Sequence, residues 1–283
     1  IVLSRNKKNE NIAHLKNKIK VENVDITNFL KLGKILQKYK PDVIIHLAGE
    51  TSHSRSFENP LYDVDVNSKS TLFMLEKIRQ LNFKCKFILG STFIVVGRPT
   101  KLPVNENTPC FPTTVYGINR LSSEYFCEIY HRLYGLDTVT FRITNSFGPR
   151  EQIIPKKNAI NFLISQSFKG EKITIYDHGK FFRDLIYVSD VVSAISILIK
   201  KGKSGNLYWI SSGKKTWFYQ FGKYLEDLTK TKVKYVPSPN YTKKVDVGNF
   251  VVDNTKLKSL GWKPSTTIKQ GIKETLNYLK MKN

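Results

Sequence analysis

The run VIIHLA at 43–48 is apolar at every position except His46, and it sits between two stretches of helical period. That pattern constrains the fold more than any other feature of the chain. A strand without polar alternation is expected to have both faces covered, which is how parallel sheets flanked by helices are built. The same arrangement recurs. Val21–Val24 leads into a helix from about Thr27 to Tyr39, Asp42–Leu47 into a helix from about Asn59 to Gln80, and a strand Lys86–Leu89 follows. A helix from about Ile118 to Tyr134, closed by Gly135 at C′, precedes a strand Thr138–Arg142. Strands joined through helices require parallel neighbours, so the first half is predicted to be a doubly wound, Rossmann-like α/β sheet.

After NSFGPRE the texture changes to short strands at 173–176, 207–210 and 234–236, with helices near 157–169, 216–229 and 266–281. This predicts a smaller C-terminal α/β domain that completes a cleft over the carboxyl ends of the parallel strands. Residues 1–150 with about 184–202 are assigned to the first domain, and 151–183 with 203–283 to the second.

Composition narrows the alternatives. With 283 residues, 40% of them hydrophobic, the chain can bury a sizeable core. No run reaches the roughly 18 apolar residues of a spanning helix, and the most apolar stretch, Leu185 to Ile199, is broken by Asp190. The opening IVLSRNKKNE lacks the apolar core of a secretory signal, so a cytoplasmic protein without a membrane partner is expected. Cys85, Cys110 and Cys127 show no CxxC spacing, and His14, His46, His53, His131 and His178 form no HExxH pair. Neither disulfides nor a metal site is expected. The net charge of +23 raises the question of a polyanionic partner, but only nine of the 46 basic residues are Arg and the Lys are scattered through every segment. A Lys-rich solvated surface is the expected reading, with nucleic acid not expected as a partner.

The chemistry lies in a series of motifs. They are HLAGE (46–50), SFENP (56–60), VNSKST around Asn67, GSTFIVVG (90–97), VYGINR (115–120), FRITNSFGPR (141–150), FFRDLIYVSDVV (181–192) and LGWKPSTTIKQGIKETL (260–276). In this order they resemble the extended short-chain dehydrogenase/reductase family, in particular its nucleotide-sugar epimerase and dehydratase branch. The resemblance implies an NAD- or NADP-dependent enzyme acting on a nucleotide-sugar, and a homodimer.

Carried over residue by residue, the resemblance makes Tyr116 the base, Arg120 the cation one helical turn later and Thr92 the hydroxyl that relays protons. A tyrosine accepts a proton near neutral pH only if its pKa falls from about 10 towards 7, a shift worth about 4 kcal/mol, and a neighbouring cation can supply much of it. The family places Lys at position 120; Arg keeps the charge but not the shape. Sugar 4,6-dehydratases carry Asp-Glu after the Thr, whereas Phe93 and Ile94 stand here and cannot transfer protons. Epimerisation is therefore expected rather than dehydration. A net nucleotide-sugar reductase or dehydrogenase, and a non-catalytic dinucleotide-binding protein, remain as alternatives.

For the cofactor, the resemblance implies Asp25, Ile26, Leu47, Ala48, Gly49, Asn67 and Ser91 together with Tyr116 and Arg120. The glycine fingerprint that follows the first strand of such folds is absent, and IVLSRN resembles the second strand, so the sequence is expected to be a fragment short of about 30 residues at its start. Where NAD-binding members place an acid for the ribose 2′-hydroxyl, Ser4 and Arg5 stand instead, which suits a 2′-phosphate. For the substrate, Asn145, Arg183 and Lys243 match positions that contact the diphosphate, and Thr92 touches the sugar. Arg150 and Asp190 are expected to be structural, Asp190 as a helix N-cap.

Overall fold

The computed structural model describes residues 1–6, 10–15, 17–153, 158–237 and 246–282; the side chains of His53 and Ser54 are outside that description. Strands β1 (Val2–Ser4) and β2 (Val21–Asn23) form a parallel pair. Helix α1 (Phe29–Tyr39) follows, with the Asn28 side chain accepting from the Lys31 amide at its N-terminus. Strands β3 (Val43–His46), β4 (Lys86–Thr92) and β5 (Asp137–Ile143) are parallel neighbours, joined on the far side of β5 by a fourth strand at 206–210. The α/β, doubly wound expectation holds.

Three details differ from the sequence reading. The segment expected as one helix from Asn59 to Gln80 is broken into α2 (His53–Glu58), α3 (Pro60–Val64), a π-helical turn (Asp65–Lys69) and α4 (Ser70–Leu81). A π turn is a local departure that helical periodicity does not signal. The VIIHLA strand is not covered on both faces: Ile44 packs against the cluster of Leu32, Leu75 and Phe87, but Ile45 is 42% and Leu47 56% exposed. No ladder joins β1 to β3 among the described residues. Finally Asn206–Ile210, placed by the sequence in the second domain, belongs to the main sheet.

Helix α5 (Val115–Tyr134) begins three residues earlier than expected because the Thr114 hydroxyl accepts from the Gly117 amide at 3.0 Å, capping the first turn. It ends as expected at Gly135, whose φ of 68° is the left-handed conformation glycine adopts at no steric cost.

Beyond β5, three short ladders build the second lobe. Strand β6 (Asn145–Phe147) pairs parallel with β9 (Leu185–Tyr187), and β7 (Ile173–Tyr176) with β12 (Val233–Val236). Strand β8 (Phe182–Arg183) pairs antiparallel with β11 (Thr216–Trp217). Helices α6 (Ala159–Phe168) and α8 (Phe218–Thr229) pack with the C-terminal helix around Phe147, Ile164, Ile175, Phe221 and Ile272. The sheet carries its own cluster, in which Ile88, Val139 and Tyr208 meet Ala194 and Leu198 of α7 (Val188–Lys201) and Trp262. The remaining strand and α-helices among the described residues are β10 (Asn206–Ile210), α9 (Thr255–Lys258) and α10 (Ile268–Lys282).

Asp190 is structural, though not as a cap. The N-cap position of α7 is Tyr187, and Asp190 lies within the first turn. Its carboxylate accepts from the Ser265 amide and hydroxyl and the Thr266 amide at 2.9–3.0 Å, tying the segment before α10 onto α7. Arg150 donates to the Asn11 carbonyl at 2.7 Å, which is also a structural role.

His46, at the end of β3, is buried with its Nε2 at 3.4 Å from the Ser70 hydroxyl. Burial, aided by the positive charge of Arg120, pushes its pKa down to about 3. The sign follows from linkage: the folded state excludes a proton that the unfolded chain binds below about 6.5, so His46 withdraws stability as pH falls towards 3. Relative to His46→Asn, the wild type should lose about 2 kcal/mol between pH 8 and pH 5, measured as the difference in urea unfolding. A difference independent of pH would show that the imidazole binds its proton in the fold as readily as in the unfolded chain.

Candidate active site

The carboxyl ends of β1, β2 and β3 open on a cleft of about 280 Å³. Ser4, Arg5, Asp25, Ile26, Ala48 and Gly49 line it, so six of the residues singled out for the cofactor are brought together there. The Asp25 carboxylate accepts from the Thr27 amide at 2.9 Å and hydroxyl at 2.8 Å, closing the turn before α1. Glu50 and Tyr62 also line the cleft, and periodicity gave no signal for either. Glu50 accepts from the Thr51 and Ser52 amides and from Arg55, all at 3.1 Å, which shapes the loop leaving β3.

The inner wall carries a set of buried polar atoms with no partner among the described residues: Asn67 Oδ1 and the Nε and Nη1 of Arg120. They surround Gly49. A Cβ there would stand 2.5 Å from Asn67 Oδ1 and 3.5 Å from Arg120 Nη1, so only glycine leaves this wall open. Asn67 is presented by the π turn, with its amide nitrogen donating to the Glu50 carbonyl at 2.9 Å. Buried polar groups are ordinarily satisfied, so unpaired donors and an acceptor around an open glycine mark a place where a polar ligand completes the bonding. These residues are suited to a dinucleotide backbone and ribose.

Tyr116 and Arg120 lie on one face of α5, 7% and 4% exposed, and the Thr92 hydroxyl at the end of β4 is hydrogen-bonded to the tyrosine. Thr92 Oγ1 also accepts from the Ile94 amide at 3.3 Å. The expected fall in the tyrosine pKa is not what this structure gives. Burial dominates and holds the Tyr116 hydroxyl above the usual tyrosine range; Arg120 and Thr92 pull it down, while Asp63 and Glu50 push it further up. The charge of Arg120 by itself does not offset desolvation.

Phe93 and Ile94 belong to an apolar cluster with Val96, Phe250, Val252 and Tyr116, and the Phe93 and Phe250 rings meet edge to face at 5.1 Å. No acid or base occupies that position.

Ser91, expected at the cofactor, is instead turned into the fold: its hydroxyl donates to Glu124. Glu124 on α5 in turn accepts from Arg142 on β5, at 2.7 Å from Nη2 and 3.1 Å from Nε. A second buried link runs from Asn119 Nδ2 to Asp63 Oδ1 at 2.7 Å, joining α5 to α3. These partners were missed because nothing in a linear sequence couples residues 18 to 56 positions apart, yet they hold α5 against the sheet.

On the substrate side, Asn145 lies on β6 and Arg183 on β8. Arg183 is buried, donates from Nη1 to the Phe182 carbonyl at 3.1 Å, and pairs through Nη2 with Asp246. Any anion bound by Arg183 therefore competes with a carboxylate already in place. Lys243 lies outside the described residues.

Comparison with known proteins identifies the family. The model of the family described as GDP-mannose 4,6 dehydratase matches residues 2–275. A putative UDP-glucose 4-epimerase of Methanocaldococcus jannaschii is 32% identical over 244 residues, covering 86% of this chain and 78% of that protein. A dTDP-glucose 4,6-dehydratase of Xanthomonas campestris is 27% identical over 277 residues, covering 90% and 77%. Among solved structures, the UDP-glucose 4-epimerase of Thermotoga maritima with UDP-glucose superposes with a TM-score of 0.90 at 28% identity, covering 99% of this chain and 90% of that one. The chain belongs to this family, the nucleotide-sugar epimerase and dehydratase branch of the extended short-chain dehydrogenases/reductases.

Proposed function

We propose that the chain is an NAD(P)-dependent nucleotide-sugar epimerase working through a transient keto-sugar. The observation that carries this reading is the hydrogen-bonded pair of Thr92 and Tyr116 beside Arg120, followed immediately by Phe93 and Ile94 packed in an apolar cluster. The first half of that arrangement can move a proton on and off a sugar hydroxyl. The second half has no group that could eliminate water.

In this reading Gly49, Asn67 and Arg120 hold the cofactor, with Arg120 and Asn67 gaining the partners they lack. Bound there, NAD(P) would supply an oxidised ring to take up hydride and hand it back, and a positive charge that adds to that of Arg120. Tyr116 would accept the proton of the sugar hydroxyl as the carbon bearing that hydroxyl is oxidised to a ketone. Thr92 donates to the reacting oxygen and keeps it in line with the tyrosine. Hydride given back to the opposite face of the ketone carbon, with Tyr116 returning its proton to the oxygen, would leave the epimer and no net redox change. Asn145 and Arg183 hold the diphosphate, the arginine exchanging Asp246 for phosphate oxygens.

The test is incubation with UDP-, GDP-, CDP- and dTDP-sugars, with products read by NMR alongside reduced-nicotinamide absorbance. Interconversion of two epimers with no lasting absorbance change is expected. A stoichiometric absorbance change would identify a reductase or dehydrogenase instead, and binding without turnover would identify a non-catalytic dinucleotide-binding protein.

Tyr116→Phe should lower turnover by at least about a hundredfold while leaving nucleotide-sugar binding intact. Arg120→Met should move the basic limb of the pH–rate profile upward, because the tyrosinate loses the cation that stabilises it, whereas Arg120→Lys should leave that limb near its wild-type place. Arg183→Ala should weaken nucleotide-sugar binding by about 2 kcal/mol in calorimetry without changing dinucleotide binding.

A further inference from the structure

A second cavity, of about 410 Å³, lies between α5, β5, β10 and the loop at 106–110. Among the described residues it shares no lining residue with the cleft at the ends of β1, β2 and β3. Its floor is the row Thr138, Thr140 and Arg142, alternate residues of β5 and therefore on one face of the sheet. Leu121 and Tyr125 of α5 and Leu207 of β10 give it apolar surface.

Two buried polar atoms of lining residues have no partner among the described residues. The Arg142 side chain is 5% exposed; it commits Nε and Nη2 to Glu124, and Nη1 is left over. Glu106 is tied to the edge of β10 by the Trp209 amide, while its Oε1 accepts nothing. One atom is a donor and the other an acceptor. A buried polar group left unpaired typically costs about 1–3 kcal/mol, so this cavity is walled by groups that call for a polar occupant.

Charge narrows the class of that occupant. Glu106, Glu124 and Glu128 line the cavity against Arg142 and Lys256, three carboxylates to two cations. An anion would meet the carboxylates, and a cation would meet Arg142 and Lys256. A hydroxyl suits both unpaired atoms, because it can accept from Nη1 of Arg142 and donate to Oε1 of Glu106. Apolar walls with a few fixed polar groups, in a space of this volume, are the ordinary make-up of a small-molecule site.

We infer that this cavity is a second ligand site, which takes a neutral polyhydroxylated molecule of about hexose size bonded through its hydroxyls to Arg142 and Glu106. The site does not depend on the reaction proposed for the cleft. Because Arg142 also holds Glu124, the occupant bonds to the ion pair that joins α5 to β5.

Saturation-transfer NMR and calorimetry test this with D-glucose, D-galactose and D-mannose, and with inorganic phosphate and tetramethylammonium as charged probes. At least one hexose should bind with a dissociation constant of about 1 mM or tighter. Glu106→Gln keeps the shape of the side chain but turns one carboxylate oxygen into a donor group, and should weaken that binding about tenfold. Alkylating Cys110 gives a second readout that leaves the ion pair unsubstituted. Its half-buried thiol lines the cavity, whereas Cys85 and Cys127 are buried. Iodoacetamide, applied at alkaline pH because burial raises the Cys110 pKa, should block hexose binding in the wild type. Cys110→Ser should bind hexose equally before and after the treatment. Hexose binding that survives either change lies elsewhere and overturns the site. Binding of phosphate or tetramethylammonium in place of every hexose overturns the ligand class, and no binding by any of these probes means that water alone fills the cavity and overturns the proposal.

Discussion

The geometry of the candidate site depends on one buried ion pair. Glu124 on α5 and Arg142 on β5 meet through three N–H···O contacts, and the Ser91 hydroxyl at the end of β4 joins the same carboxylate. Three elements are thereby held in one register. Ser91 immediately precedes Thr92, and Glu124 lies one turn beyond Arg120, which lies one turn beyond Tyr116. A slip of α5 along the sheet would leave a carboxylate and a guanidinium unpaired in the interior, which typically costs 3–5 kcal/mol. The hydrogen bond between Thr92 and Tyr116 is thus positioned by a pair that touches neither hydroxyl.

Burial serves and opposes the chemistry at the same site. The packing that shields Tyr116 also raises its pKa, and the nearby carboxylates of Asp63 and Glu50 act in the same direction. Arg120 and Thr92 supply the opposing pull. The cation at 120 is effective because it is desolvated along with the tyrosine: a buried charge is screened far less than an exposed one. Burial, with Arg120 acting in the same direction, keeps His46 neutral, so a second proton acceptor close to Arg120 is removed from competition at physiological pH.

Period and turn chemistry made the order of strands and helices legible, because a parallel sheet writes itself as alternating apolar strands and amphipathic helices. The ordered motifs carried the site, and Tyr116, Arg120, Thr92, Gly49 and Asn67 are brought together by the fold. What stayed hidden was of three kinds. The π turn that presents Asn67 differs from an α-helix by a single hydrogen-bond step, which no residue type or spacing in this stretch announces. The inward turn of Ser91 and the pairing of Glu124 with Arg142 are long-range matches that no local pattern encodes. The exposure of Ile45 and Leu47 reflects what stands beside β3 in space, whereas the apolar run itself only says that the strand tolerates cover on both faces.

The distribution of cations explains why an arginine at position 120 is more than a neutral exchange for lysine. Of the 46 basic residues 37 are Lys and nine are Arg (46 − 9 = 37), so the composition of this chain favours Lys wherever either would do. Yet no Lys is buried among the described residues, and the three buried cations, Arg120, Arg142 and Arg183, are all Arg. A guanidinium is less strongly hydrated than an ammonium and presents several N–H groups in a fixed plane, so it enters the interior at lower cost and can serve two partners together. Arg142 does this with Glu124 and with the face of Trp209, and Arg183 with Asp246 and the Phe182 carbonyl. Arg120 follows the same rule but with its Nε and Nη1 still unpaired, beside a tyrosine on its own helix face. A fork in that position has N–H groups enough to stabilise a tyrosinate and meet a ribose at once, and under the proposed function these are the two tasks Arg120 takes over from the family's Lys with a different geometry of grip.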